Sequence, residues 1–177
     1  MTEIIIGCVV ALGIILLAVV LINNKFQFAI IKIEEAENSI DTLLKKKAEL
    51  LERAAPIVIK ELKLEDYLTD LSDIAPEKCN SFERNDRLKK CYNTYLKTLD
   101  ENEKLTKSET LSSISDDLES NEVELVGATK FYNDAVVTFN KLIVSFPTSL
   151  VGFFKGYKKK AFYNNEKREM YQILNDN

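Results

Sequence analysis

The sequence predicts an all-α protein in which an N-terminal transmembrane helix continues into an antiparallel bundle of long helices. Three observations support this prediction. The run Ile4–Ile22 holds no charged side chain. The 177-residue chain has only three prolines and five glycines, so few residues interrupt helices. Apolar residues recur at helical spacing through the rest of the chain, and no long stretch alternates at the two-residue period of a strand.

The apolar run Ile4–Ile22 has the length of a membrane span. At ~1.5 Å per residue a helix of this length covers about 28 Å, close to the roughly 30 Å hydrocarbon thickness of a bilayer. A cleaved signal peptide is one alternative, but it needs basic residues before its apolar run, and the segment Met1-Thr2-Glu3 has none. A buried core helix is the other alternative. We interpret the run as an uncleaved anchor in the lipid bilayer.

The charge distribution predicts the orientation of this anchor. All 24 Lys and Arg residues follow residue 24, whereas the N-terminal tail carries only Glu3. The positive-inside rule therefore predicts a short N-terminus outside and a C-terminal body in the cytoplasm. The 28 acidic residues less Glu3 leave 27 in the body against 24 basic ones, a net charge of −3. This balance does not favour binding to nucleic acid.

Three regions follow from these patterns. Residues 1–24 hold the short N-terminus and the anchor, residues 25–163 form the cytoplasmic helical bundle, and residues 164–177 form a polar tail with a short helix. The first helix of the bundle runs from Phe26 to about Leu64, with a candidate kink at Pro56. Residues 66–80 read as turns and a loop, and Ser81 is the predicted cap of the next helix.

The last long helix begins at Ser108 or Thr110 and runs to Phe146, because Pro147 cannot continue it. It carries an apolar heptad, which is typical of a long helix packed in a bundle. The heptad residues are Leu118, Leu125, Tyr132, Phe139 and Phe146, and three residues beyond them come Ala128, Ala135 and Leu142.

Polar residues interrupt the apolar stripe of this helix at two places. Asn133 and Asn140 lie at the edge of the apolar stripe, which predicts hydrogen bonds to a neighbouring helix. The predicted helix contacts are Asn133, Asn140, Tyr132 and Phe139. Asp134 and Val137 lie on the opposite side, where they are either solvated or in contact with a partner.

Residues 149–163 interleave aromatic residues with Lys155, Lys158, Lys159 and Lys160. In an up-and-down bundle this segment comes at the end away from the membrane. It is then either an aromatic cap on the bundle or a docking surface for a partner or a second membrane. The candidate partner-binding residues here are Phe153, Phe154, Tyr157 and Lys158.

Catalytic patterns are scarce in the sequence. The chain has no histidine, which removes the commonest general base and most zinc and di-iron ligand sets. No glycine-rich phosphate loop occurs, and carboxylate pairs such as Glu119 and Glu122 read as solvated faces. Cys91 is flanked by lysines and is a candidate reactive thiol without an evident catalytic partner. We predict no catalytic residues, no cofactor, no metal and no enzyme activity.

The stretch FYNDAVVTFNKLIVSFPTSLVGFFKGYKKKAF, from Phe131 to Phe162, resembles the signature of the LemA family of bacterial membrane proteins. The anchor and the residues around Ser39-Ile40-Asp41 are also similar to that family. Two positions depart from its pattern: proline stands at Pro56 rather than near Glu52, and Thr129 replaces a common basic residue. The resemblance implies one N-terminal span in the bacterial cell membrane, an extracytoplasmic N-terminus and an all-α cytosolic bundle. It implies no established biochemical activity, although some branches are associated with organising membranes.

Two function hypotheses follow. The first is a membrane-anchored helical scaffold that binds an unidentified cytoplasmic protein. The alternative is a membrane-organising or membrane-shaping protein that forms homo-oligomers through the small residues Gly7 and Ala11 and along its heptad.

Overall fold

The computed structural model describes residues 1–74 and 79–163. Five α-helices and one 3₁₀ turn make up this part of the chain, and no strand occurs in it, which confirms the predicted all-α bundle. The helices are α1 (Thr2–Leu62), α2 (Ser81–Glu101), α3 (Glu103–Thr106), α4 (Glu109–Val144) and α5 (Thr148–Phe154), and the 3₁₀ turn is Thr69–Asp73. The predicted helix in the polar tail and Pro76 lie outside the described residues.

Helix α1 is continuous over 61 residues, and Pro56 lies inside it. The N-cap of helix α2 is Asn80, whose side chain accepts a hydrogen bond from the Glu83 backbone N–H at 3.0 Å. The predicted cap, Ser81, is instead the first helical residue. Asparagine and serine are both good N-caps, so their order at this position could not be decided from residue type alone.

Helix α4 begins after Ser108, whose Oγ accepts from the Leu111 backbone N–H at 3.5 Å. It ends at Val144 rather than at the predicted Phe146. The Thr148 hydroxyl lies 2.7 Å from the Ser145 carbonyl oxygen and 2.5 Å from that of Leu142. It therefore supplies a donor to carbonyls that the end of the helix leaves without one.

The heptad predicted for α4 is buried at four of its five positions, namely Leu118, Leu125, Tyr132 and Phe139. The prediction for Phe146 is wrong, because its side chain is 82% exposed. Since α4 ends at Val144, the helical periodicity that would turn Phe146 inward stops before it.

The chain forms two compact units. Unit 1 contains Met1–Ala36 and the chain from Lys130 onward, and unit 2 is Glu37–Thr129. Helices α1 and α4 contribute residues to both units. This division by contacts differs from the predicted division into an anchor and a bundle, which concerns membrane placement and stays a prediction.

In unit 2, helices α1 and α2 run in the same direction. Arg84 contacts Asp41 with 3.3 Å between Nη1 and Oδ1, and further along both helices the Lys47 ammonium lies 5.1 Å from the centre of the Tyr92 ring. Helix α4 runs antiparallel to both. Lys47 also pairs with Glu122, whereas Tyr95, one turn beyond Tyr92, contacts the earlier residues of α4.

The parallel course of α2 follows from the path of the segment after α1. Leu68 lines a cavity with Glu52 and Ala55, and Asp70 lies close enough to Cys91 to affect its pKa. The chain therefore returns beside α1 before α2 begins. The predicted up-and-down course, in which the helix after α1 leads back toward the membrane, is wrong for this reason.

Candidate functional site

An aromatic cluster organises unit 1. The buried Phe26 of α1 contacts Phe139 of α4, with 5.9 Å between ring centres in an edge-to-face arrangement. Tyr157 completes the cluster at 5.0 Å from Phe26 and 5.8 Å from Phe139. The Gln27 amide donates to the Tyr157 hydroxyl oxygen at 3.2 Å. Aromatic pairs at these distances add directional attraction to the burial of apolar area.

Two asparagines of α4 hold the backbone of the segment after α5. The Asn140 amide donates to the Lys160 carbonyl at 2.9 Å, and its oxygen accepts from the Lys160 N–H at 2.8 Å. The Asn133 oxygen accepts from the Tyr163 N–H at 2.8 Å. Residues 157–163 are not helical, so these side chains satisfy backbone groups that no helix ladder reaches.

The predicted partner of the asparagines, a neighbouring helix, is therefore wrong. The Tyr132 hydroxyl also reaches this segment, donating to the Ala161 carbonyl at 3.2 Å, and its ring lies 5.8 Å from that of Tyr163. Among the four predicted helix contacts, Phe139 makes a ring contact with Phe26 of α1. The physical reason is that a non-helical segment leaves N–H and C=O groups without partners, whereas a helix pairs most of its own.

Helix α5 and the segment after it lie beside the beginning of the post-anchor part of α1. A Cβ added at Gly152 would be 3.2 Å from Cζ of Phe26, and Tyr157 contacts both Phe26 and Gln27. Phe26 is only four residues beyond Ile22, where the apolar run ends. The prediction that residues 152–163 lie away from the anchor is wrong, because the return of the chain before α2 reverses the course of the later helices.

The outer side of α5 is apolar. Leu150, Phe153 and Phe154 are 53%, 81% and 85% exposed, and their spacing places them on one face of the helix. Gly152 faces the protein and is buried. Lys158 is exposed and Tyr157 is partly buried. Two of the four candidates in this segment, Phe153 and Phe154, thus form a continuous exposed surface, while Tyr157 belongs to the aromatic cluster.

The other two candidates lie on the outer face of α4. Asp134 is exposed and Val137 is partly exposed. Lys141 and Val144 follow them at intervals of four and three residues, so all four share one helical face. Val144 is 60% exposed. This mixed face, which we call the α4 outer face, contains both charged and apolar side chains.

Unit 2 contains a buried ion pair that sequence reasoning missed. Lys47 has no exposed side-chain area, and its ammonium pairs with the partly exposed carboxylate of Glu122. Burial lowers the pKa of Lys47 below 10.5, although the hydrogen bond to Glu122 acts in the opposite direction. Burial also raises the pKa of Tyr92, with Glu122 and Glu119 adding to the effect. The sequence analysis interpreted Glu122 as part of a solvated face. That interpretation is wrong, because Glu122 pairs with the buried Lys47.

A second buried polar residue, Asn121, could have been identified from the heptad pattern of the sequence. It occupies the heptad position of Ala128 and Ala135, where an apolar residue is expected. The side chain is fully buried and its amide donates to the Leu43 carbonyl at 3.2 Å, while its oxygen makes no hydrogen bond. A polar residue at an apolar heptad position is the pattern that identifies such a site.

The chemistry of Cys91 also differs from the prediction. The thiol is buried, and burial raises its pKa above the ordinary 9.0, with nearby Asp70 adding to the effect. A raised pKa leaves less thiolate at neutral pH, so the flanking lysines do not make this cysteine reactive. Within residues 1–74 and 79–163, no three metal-ligating side chains lie close enough together to hold an ion.

Within residues 1–74 and 79–163, these features define an all-α protein with one helix long and apolar enough to span a membrane. The model of the LemA family matches residues 36–173, which is most of the chain. The protein therefore belongs to the LemA family, and the resemblance seen in the sequence is confirmed. No curated protein and no solved structure shows significant similarity to the chain.

Proposed function

We propose that the chain is a membrane-anchored helical scaffold that binds a cytoplasmic protein and catalyses no reaction. In this proposal Ile4–Ile22 spans the bacterial cell membrane, the N-terminus is outside and the body is in the cytoplasm. The observation that carries the proposal is the combination of an apolar helix with no protein cover and a well-packed helical body with a mixed exposed face.

The anchor is supported by hydropathy and exposure together. The most apolar window of α1 has a mean hydropathy of 3.3, and none of it is buried within the protein. A core helix of the same composition would be covered by other helices. An apolar helix without protein cover is stable only where lipid covers it. Helices α4 and α5 pass the same test only when combined, and the 92° bend between them does not suit one span.

The α4 outer face supports the binding of a protein. Asp134, Val137, Lys141 and Val144 offer alternating charged and apolar contacts along more than two helical turns. An amphipathic partner helix reads such a surface through residues at three- and four-residue intervals. Unit 2 exposes a further apolar pair on α4, Val123 and Val126, at 70% and 67% exposure.

Photo-crosslinking in living cells tests the scaffold. A photoreactive residue replaces Val137, and a matched control carries it at Glu35, an exposed position on α1 in the same unit. We expect one distinct protein to be recovered from Val137 and not from Glu35. Recovery of the same proteins from both positions, or of none from Val137, would contradict the proposed binding face.

The orientation is tested separately with a maleimide that does not cross membranes. Thr2→Cys and Ser120→Cys are each introduced into a Cys8→Ser background, and the native Cys79 and Cys91 are buried. We expect Thr2→Cys to react in intact cells and Ser120→Cys to react only after permeabilisation. The reverse pattern would place the body outside the cell.

Self-association within the membrane is the second candidate function. The space around Gly7 is open, with no atom within 4 Å of an added Cβ, and Ala11 follows one turn later. Small residues at this spacing let two membrane helices approach closely. Four of the five heptad residues are buried inside the protein, so the heptad does not offer a continuous second contact between copies. Energy transfer between labelled copies in vesicles, lost in Gly7→Leu and kept in Gly13→Leu, would support this function over the scaffold.

A further inference from the structure

We propose that helix α5 forms a second attachment to the bilayer that holds the anchor, with its apolar face in the lipid interface and its lysines on anionic headgroups. This inference rests on the proposed membrane span. The surface consists of Leu150, Phe153 and Phe154 together with the following Lys155 and Lys158, and we call it the α5 surface.

The depth of Phe26 carries the first step. It follows Ile22 by four residues, so it lies about 6 Å further along the helix. The headgroup and interfacial region of each leaflet is roughly 5–8 Å thick. An anchor that fills the hydrocarbon with Ile4–Ile22 therefore places Phe26 within this region. Because Gly152 packs directly against Phe26, α5 lies at the same depth.

The exposed face of α5 carries the second step. Phe153 and Phe154 are among the most exposed apolar side chains outside the span, and Leu150 lies on the same face one turn earlier. Gly152, on the protein side, has no side chain and so lets the helix pack closely against Phe26. An apolar face turned away from the protein at headgroup depth is the arrangement of an interfacial helix.

The charge around α5 carries the third step. After Asp134 the next acidic residue is Glu166, whereas Lys155 and Lys158 are both exposed within the intervening chain. A net positive segment beside aromatic residues is attracted to a bilayer with anionic headgroups. A net negative protein body would otherwise be repelled by such a surface, and this segment supplies the opposite charge where the body approaches it.

The adjoining turns of α1 extend the same surface chemistry. Phe28 is 60% exposed, and the Lys32 ammonium lies 4.5 Å from the centre of its ring. Lys25 is also exposed. Lysines and aromatic side chains in these positions are common anchors at the boundary between lipid and water. The α5 surface and the part of α1 that follows the apolar run therefore both combine exposed aromatic residues with lysines.

The absence of tryptophan from the sequence allows a direct test of depth. Three variants of the full chain, each with a single tryptophan, are reconstituted into vesicles of phosphatidylcholine and phosphatidylglycerol, with or without bromine on the acyl chains. Phe154→Trp reports the α5 surface. Leu12→Trp reports the span, and Phe131→Trp reports a partly exposed position on α4 in the same unit.

We expect brominated lipid to quench Leu12→Trp most strongly and Phe154→Trp clearly, with Phe131→Trp unaffected. If Leu12→Trp is not quenched, the span itself is absent and the proposed function fails with it. If Leu12→Trp is quenched and Phe154→Trp is not, the second attachment alone is overturned. A blue-shifted Phe154→Trp that lipid does not quench also overturns it, because another protein surface then covers α5.

The charge part of the proposal is tested in the Phe154→Trp background. Lys155→Gln with Lys158→Gln is compared with Lys89→Gln with Lys90→Gln, a pair of exposed lysines in unit 2. Replacing two lysines at a headgroup surface weakens attachment by about five-fold per residue. We expect quenching by phosphatidylglycerol vesicles to fall in the first pair and to stay unchanged in the control. Equal quenching in both pairs would overturn the role of the lysines.

Discussion

Asn140 forms two hydrogen bonds with one backbone unit, donating to the Lys160 carbonyl and accepting from the Lys160 N–H at 2.9 Å and 2.8 Å. A single buried side chain on α4 thus supplies both the donor and the acceptor that a neighbouring backbone would otherwise offer to Lys160. It fixes where the chain runs after α5.

Replacing this side chain should release the segment without unfolding the helices. We expect Asn140→Ala to lower the stability of the protein by ~1–3 kcal/mol, because the variant leaves backbone groups without these partners. Hydrogen exchange at residues 157–163 should accelerate at least about five-fold. Asn93→Ala, an exposed asparagine on α2, is the control. Unchanged exchange in Asn140→Ala would contradict the assigned contacts.

The Lys47–Glu122 pair should respond differently to single and double substitution. Glu122→Ala leaves a buried ammonium without its carboxylate and should cost about 1–3 kcal/mol, less than for a fully buried pair because Glu122 is 29% exposed. Lys47→Met with Glu122→Leu should recover most of this loss, since neither residue then carries a buried charge.

Urea unfolding in detergent measures both variants. Glu49→Ala, which removes the exposed partner of Lys45, is the matched control and should give no measurable change. If the double variant is no more stable than Glu122→Ala, the stability lost in Glu122→Ala comes from the missing ion pair and not from the unpaired buried ammonium.

Gly152 and Gly127 provide a pair of glycines with opposite expected effects. A side chain at Gly152 meets Cζ of Phe26 at 3.2 Å, so Gly152→Val should destabilise the packing of α5 by ~1–3 kcal/mol. Nothing lies within 4 Å of an added Cβ at Gly127, inside α4, so Gly127→Ala should stabilise that helix by about 0.5–1 kcal/mol. Thermal unfolding followed by circular dichroism distinguishes the two signs.

Cys91 should react slowly with thiol reagents while the protein is folded. Its pKa is raised by burial, so at pH 8 we expect reaction at least ~10-fold slower than in urea, measured with Cys8 and Cys79 replaced by serine. Because the raised pKa favours the protonated thiol, its contribution to stability is complete below pH 9.0 and is lost as the pH rises through the folded-state pKa. Cys91→Ala should therefore show a shallower loss of stability above pH 9.0.

The helical class and the buried heptad of α4 from Leu118 to Phe139 could be predicted because periodicity is a local property of the chain. The path after α1 could not be predicted. The aspartates and the proline in the sequence of residues 66–80 indicate a break between helices but carry no information about the direction in which the next helix runs. The error in placing residues 152–163 follows from that one missing fact.

The partners of polar side chains were equally difficult to predict. Asn133 and Asn140 were recognised as unusual on an apolar stripe, yet their partners are backbone groups of a non-helical segment, which have no signature in residue type. Lys47 lies in a run of three lysines, and nothing in that run distinguishes the buried one from its solvated neighbours. Asn121 was recognisable only by continuing the heptad series one step backward.

The parallel course of α1 and α2 has a consequence for the order of folding in unit 2. Tyr95 contacts residues 16 and 20 positions away on α4, whereas the contacts of α1 with α2 and α4 join residues 43 to 78 positions apart. Short loops close at a lower entropy cost than long ones. The hairpin of α2 and α4 is therefore expected to form first. Helix α1 is expected to pack against this hairpin last, although it leaves the ribosome before the other two helices.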